Sequence, residues 1–433
     1  MLLNRTLLAA VLAATVAPAA AASASEVTYP DGETLHLTAA PGEANRVIVG
    51  ASGEYRDAVR LGDSAAISYP ADACVQGDGG WLHCAAPGGV VIDLGDRDDT
   101  MAFDDAPMAG AVTVAGGAGN DTLRGRQAEG GAAIVLDGGA GNDTLEGKLA
   151  AETLRGGDGN DTLQGRGAAD VLEGGAGDDV LDGDVFEPMA PDVLDGGPGA
   201  DTVEGWASPG ASSHAPITMT LDGAANDGRP GEGDDVRGIE RITSHVSGIV
   251  RTSDADDVVD MWANLDMGSS SISTFGGADK VIGGSASESI DAGAGDDRIE
   301  GGFGNDTIVA GPGRDTVFGD KTGGNCGLFE SCDAPVGNDV IDTRDGEADT
   351  VDCGVGVDRA VIDAVDTVSG CESVDAAAAP APVAPVQPRA VDEGAHGKKG
   401  GAAARRGIWL RSEERRVGKE CASWCRSRWS PYH

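Results

Sequence analysis

GGAGNDTLE (138–146), GKLAAETLR (147–155), GGDGNDTLQ (156–164), GRGAADVLE (165–173) and GGAGDDVLD (174–182) follow one another without a spacer. Each nine-residue unit has an acid at its sixth place: Asp143, Glu152, Asp161, Asp170 and Asp179. Each has leucine at its eighth: Leu145, Leu154, Leu163, Leu172 and Leu181. A period this strict is the signature of a solenoid, in which one unit buries almost nothing and only the stack is stable. Paired glycines can take positive φ at no steric cost, so each unit can open with a sharp turn of exposed backbone. The leucine reads as the one inward side chain of a short strand. The carboxylate and nearby carbonyls offer the hard oxygen donors that calcium prefers.

The pattern G-G-x-G-x-D-x-U-x resembles the repeats-in-toxin (RTX) family. The resemblance implies an all-β fold, a right-handed parallel β-roll or β-helix solenoid, with two nonapeptides per coil. It also implies several calcium ions, held between same-side loops of adjacent coils. Complete loops open at Gly116, Gly138, Gly156, Gly174 and Gly196, spaced 22, 18, 18 and 22 residues. Eighteen is one coil, and each 22 is a coil with four extra residues. The five complete loops therefore fall on one edge, with Asp121, Asp143, Asp161, Asp179 and Asp201 in a column. Degenerate units such as GKLAAE fall on the other. Up to four ions are expected along the first edge and few or none along the second.

The period returns over 274–318 as five contiguous units, with Asp279, Glu288, Asp297, Asp306 and Asp315 at the sixth places. Val281, Ile290, Ile299, Ile308 and Val317 hold the eighth places. Asp279, Asp297 and Asp315 share one edge, and Glu288 and Asp306 the other. The expected metal ligands are thus Asp121, Asp143, Asp161, Asp179, Asp201, Asp279, Asp297, Asp306 and Asp315. The Glu288 loop, GGSASE, departs from the family pattern and is left out.

Around these rolls the chain divides as follows. Residues 1–24, with Arg5, an apolar run and Ala22-Ser23-Ala24, read as a secretory signal peptide, implying an extracellular protein. Residues 25–104 alternate as short strands and form a β-rich N-terminal cap, with Cys74 and Cys84 placed to close a hairpin. Asp99 and Met101 hold the sixth and eighth places of a first, incomplete unit. The first roll spans 105–204, irregular coils 205–273, and the second roll 274–322. In the irregular block Asp235 and Asp257 are assigned to sixth places. Residues 323–375 form a cysteine-containing C-terminal cap, for which the family resemblance implies 353–371 and 326–332 pairings. Residues 376–410 are an Ala/Pro-rich linker. The final segment, 411–433, resembles the translation of a sequencing adapter and is set aside as an artefact, Cys421 and Cys425 with it.

Without that tail the chain has 25 Lys/Arg against 69 Asp/Glu, a net charge of −44. Such charge repels phosphate backbones and argues against nucleic acid as a partner. Beyond the N-terminus no stretch has the length of a transmembrane segment. Stacked carboxylates repel one another, so metal binding and folding should be one event. Extracellular modules bind calcium with Kd of about 0.1–1 mM. A disordered low-complexity segment would not place an aliphatic residue at every ninth position. The N-D-T triplets at Asn120, Asn142, Asn160 and Asn305 match a glycosylation sequon but are better explained by the loop motif.

No H-E-x-x-H, G-x-S-x-G or G-x4-G-K-[ST] motif occurs. The reading is a secreted calcium-binding protein with a structural or adhesive role at the cell surface or beyond it. The alternative is a secreted polysaccharide-acting enzyme in which the roll aids secretion and folding. The protein or glycan partner is not specified by the sequence.

Overall fold

The computed structural model describes residues 24–376, apart from 52–57, 63–65, 78–80, 87, 104–109, 127–132, 185–189, 206–215, 222, 230–231, 245, 262–267 and 321–336. The expected signal peptide up to residue 23, the linker from residue 377, the adapter-like tail and the 326–332 cysteine pair lie outside these residues.

Every regular element among the described residues is a strand. Each nonapeptide supplies one short strand that includes its seventh to ninth places, and in the first roll threonine or valine precedes the aliphatic residue there. Such side chains suit a pleated surface, and the following glycines end it. Successive strands alternate between two faces. On one face Ala111–Ala118, Ile134–Ala140, Glu152–Asp158, Val171–Ala176, Val193–Asp195 and Asp235–Arg237 pair in parallel, coil upon coil. On the other, Thr122–Arg124, Thr144–Glu146, Thr162–Arg166, Val180–Asp184 and Thr202–Gly205 do the same. Register is like on like, so Leu145 faces Leu163 and Leu154 faces Leu172. Leu123, Leu145, Leu163 and Leu181 from one face and Leu136, Leu154, Leu172 and Leu194 from the other are fully buried. At about 1.5–3 kcal/mol per buried leucine, this apolar seam is the main stabilising term.

The middle block does not break the solenoid. The second face runs on without a gap through Arg241–Ser244, Val258–Asp260, Lys280–Ile282, Arg298–Gly302, Thr316–Asp320, Thr350–Asp352 and Thr367–Ser369. The first face is replaced instead. Its sheet ends at Asp235–Arg237, and a new eight-stranded sheet starts at Ile217–Thr220 and ends at Ser373–Ala376. The block contributes an out-of-order strand, so the later coils meet the same second face with a different partner sheet.

At the N-terminal end both sheets acquire antiparallel strands. Leu35–Thr38 pairs parallel with Gly89–Asp93 and antiparallel with Ser25–Thr28. Arg46–Ala51 pairs parallel with Thr100–Phe103 and antiparallel with Ala58–Gly62. This covers the open edge that a parallel stack would otherwise present. Cys74 and Cys84 are directly opposite across a strand pair and form a disulfide. Cys353 and Cys371 form a second, tying the last two coils of the continuous face together.

Candidate metal centre

The loops explain their glycines in two different ways. In the loops opening at Gly138 and Gly156 the second and fourth places have positive φ: Gly139 at 106° and Gly141 at 133°, then Gly157 at 119° and Gly159 at 134°. The first glycine does not. A β-carbon at Gly138 would overlap Asp143 Oδ2 and the carbonyl oxygen of Gly156 in the next coil. At Gly156 the same atoms are Asp161 Oδ2 and Gly174 O, and at Gly174 they are Asp179 Oδ2 and Gly196 O. The first glycine is therefore required by crowding and the second by backbone hand. This corrects the expectation that both members of the pair are there for positive φ.

The sixth-place acids form two ladders. On the first edge the backbone N–H of Asp121 donates to Asp143 Oδ1 (2.6 Å), that of Asp143 to Asp161 (2.7 Å), and that of Asp161 to Asp179 (2.8 Å). Asp179 continues to Asp201, and Asp201 to Glu240. Beyond the middle block the ladder resumes as Asp257, Asp279, Asp297, Asp315, Asp349 and Asp366. Asp306 stands on the opposite edge, in the run Glu288–Asp306–Asp339–Asp358–Glu372. All nine sequence-derived candidates thus occupy equivalent places, eight on one edge and Asp306 on the other.

Their second oxygens are the notable groups. Oδ2 of Asp121, Asp143, Asp161, Asp179, Asp201, Asp279, Asp297, Asp306 and Asp315 is buried and has no hydrogen-bond partner. The residues themselves are at most 2 % exposed. Burial raises the carboxyl groups of Asp121, Asp161, Asp201, Asp279 and Asp297 to about 6, although a backbone N–H bond opposes the shift in each. For Asp179, Asp306 and Asp315 the rise reaches about 7. Buried anionic oxygens without donors are costly, and a hard cation is what such a row accommodates.

The residues present fit calcium. On the first edge of the first roll, each carboxylate oxygen converges with a carbonyl of the next coil on the space left by a missing side chain. The five complete loops, 116–121, 138–143, 156–161, 174–179 and 196–201, contain no Lys or Arg. Among the described residues no three His, Cys, Asp or Glu side chains converge on one point. A cation here would therefore rely on backbone carbonyls to complete its oxygen shell. The RTX calcium-binding nonapeptide repeat family matches the chain over residues 108–127, 135–151, 147–181, 191–208 and 282–317. The chain carries RTX calcium-binding nonapeptide repeats. These repeats are calcium-binding, and here they fold as a parallel β-roll. None of the curated proteins compared matches the chain.

Two features escaped the sequence. The acid ladders extend past the recognisable repeats, through Asp339, Asp349 and Asp358, each at most 2 % exposed. The surviving signal is acid-x-aliphatic in Asp339-Val340-Ile341 and Asp349-Thr350-Val351, but irregular spacing hides it. Asp235 is a correction. The sixth place belongs to Asp234, whose Oδ1 accepts the N–H of Asp192, while Asp235 opens the following strand. The glycine- and acid-rich run before it leaves the register ambiguous by one residue. Asp257 does hold its assigned place, its N–H donating to Asp279.

The fifth places carry a second ladder. Asn142 N–H donates to Asn120 Oδ1, Asn160 N–H to Asn142, and Asp178 N–H to Asn160. These bonds account for the asparagine of the N-D-T triplets as a loop residue. Among the described residues no helix is long and apolar enough to cross a membrane.

Proposed function

We propose that this is an extracellular protein whose RTX rolls become rigid only when calcium fills the loop edges, and that it serves a structural or adhesive role. The ligands are assigned to Asp121, Asp143, Asp161, Asp179 and Asp201 in the first roll. In the second they are Asp279, Asp297 and Asp315 on one edge and Asp306 on the other. The observation that supports this is the row of buried carboxylate oxygens lacking protein donors. A stack of anions is poorly stable by itself, and a divalent ion offsets both their desolvation and their mutual repulsion. Binding then contributes directly to folding, because the unfolded chain has no such row.

Export supports the remainder. Two disulfides suit an oxidising compartment, and affinity near 1 mM would leave the chain unfolded until it meets extracellular calcium. The test is a calcium titration of the full chain from a chelated start, followed by far-UV circular dichroism. A cooperative rise of β signal is expected. A spectrum already folded and indifferent to calcium would sink the coupling. Recovery of the chain from culture medium, with an N-terminus near residue 25, tests export separately.

A further inference from the structure

Past the last recognised repeat, which ends at residue 317, the acid ladder that holds Asp306 runs on into a loop built differently. Where the loop of Asp306 opens with Gly301 and Gly302, the one that brings in Asp339 opens with Gly319 and Asp320. The first-place glycine is kept. A β-carbon at Gly319 would lie 2.5 Å from Asp339 Oδ2 and 2.4 Å from the carbonyl oxygen of Cys353. Asp339 is 1 % exposed; its Oδ1 accepts the Asp306 N–H at 2.8 Å, and its Oδ2 has no hydrogen-bond partner. Cys353 is fully buried and anchored covalently, by its disulfide to Cys371.

The second place carries a carboxylate in place of a glycine. Asp320 Oδ1 accepts the N–H of Gly337, just before Asp339, and Oδ2 accepts that of Val355, just after Cys353. It thus bridges the two segments whose oxygens border the space at Gly319. Burial raises the carboxyls of Asp306, Asp339 and Asp358, and the Asp320 charge adds to the rise in each. Asp358 is the next ladder member, 1 % exposed, with its Oδ1 accepting the Asp339 N–H at 2.8 Å. Four carboxylates therefore act on one another here, three of them buried. Carboxylate and carbonyl oxygens without imidazole or thiolate are the donor set of a hard cation such as calcium.

We propose that Asp339 and the Cys353 carbonyl, with Asp320 beside them, form a calcium site that fastens the last coils to the second roll. The inference rests on the calcium reading of the rolls and carries the metal beyond the residues in which the repeat is recognisable. The site differs from a roll loop in its second-place carboxylate and in a carbonyl anchored by a disulfide. Both differences favour binding, since ligand charge and rigidity set the affinity of a calcium site. An ion here joins the end of strand Thr316–Asp320, the start of Val340–Asp342 and the end of Thr350–Asp352. Without it, the mutual repulsion of the four acids works against stacking these coils.

The test is hydrogen exchange of the full-length chain near neutral pH, read by mass spectrometry in chelator and in calcium. At calcium about ten times its Kd, exchange in wild type should slow about tenfold or more, both at Thr144–Glu146 of the first roll and at Val340–Asp342. Asp339→Asn keeps the Oδ1 acceptor and removes the anion. In this variant the calcium effect should persist at Thr144–Glu146 and largely disappear at Val340–Asp342. Loss of the effect at both strands, or at neither, overturns the site. A wild-type chain in which only the first roll responds overturns it too and leaves the roll reading standing, whereas no response at either strand sinks both. In chelator the variant should exchange at Val340–Asp342 no faster than wild type, because an uncompensated anion is gone. Faster exchange there would mean that the carboxylate supports these coils without metal, and the proposal falls.

Discussion

Asp161→Asn separates the two roles a sixth-place carboxylate plays. Oδ1 accepts the Asp143 N–H at 2.7 Å, which the asparagine carbonyl can also do. Oδ2 has no partner and, with the Gly174 carbonyl, borders the space a side chain at Gly156 would fill. Burial, reinforced by the charge of Asp143 and opposed by its N–H, raises the carboxyl from 3.8 to about 6. The folded metal-free chain therefore binds more protons than the unfolded one between those values, and loses stability as pH rises through that window. Two units correspond to about 3 kcal/mol at most, reduced to about 1–3 where water screens the loop. Without metal near neutral pH, asparagine removes that cost and should raise stability by this amount. With saturating calcium it removes an anionic ligand and should lower it. Urea unfolding of the full chain, in chelator and in calcium, reads both signs. Below about pH 3.8 in chelator the gain should largely vanish, since the carboxyl is then protonated in the folded and unfolded chain alike. No change in either condition would mean that the aspartate is only a hydrogen-bond acceptor, and the reasoning would be wrong.

Other outcomes follow from the loops and the core. Gly157→Ala forces a side chain into φ 119° against the Gly139 carbonyl and should cost about 1–3 kcal/mol by urea unfolding, whereas Ala168→Gly, at φ 86°, should gain about 1 kcal/mol. Leu163→Ala, in the fully buried seam, should cost about 2–5 kcal/mol, while Thr162→Ser, at the half-buried place beside it, should stay within about 0.5 kcal/mol. The calcium midpoint of folding should fall as pH rises from about 6 to about 8, because protons compete for carboxyls raised to about 6 or 7; a pH-independent midpoint, read by circular dichroism, would contradict this.

The fold was legible because one constraint recurs. Every ninth residue must point inward, and Leu145, Leu163 and Leu181 announce that directly. Edge assignment followed from counting, since an 18-residue coil places Asp143, Asp161 and Asp179 together whatever their surroundings. The sheet exchange around 217–237 was not legible, because Ile217–Thr220 alternates like any strand and its partner, Gly248–Arg251, is chosen by packing far along the chain. Asp234 was misplaced by one because both it and Asp235 are aspartates. The buried Arg126 was visible as a residue but not as an interior one, since basic side chains are ordinarily solvated.

The opposed ladders say why calcium belongs to the structure and is not an accessory. A tight turn leaves N–H groups that a strand would have paired, and each needs an acceptor. Here the sixth-place N–H finds a carboxylate one coil ahead, as Asp143 does on Asp161, and the fifth-place N–H finds an amide one coil behind, as Asn160 does on Asn142. Neighbouring coils are thereby locked in both directions, with no water required at the turn. A neutral side chain would serve for either bond, and asparagine does serve at the fifth place. The sixth place instead carries an acid whose second oxygen is buried without a donor. That excess of negative charge contributes nothing to stacking by itself. On the calcium reading proposed above, it stabilises the roll only when a cation arrives, so the same residue that fixes the coil spacing would make the fold conditional on calcium.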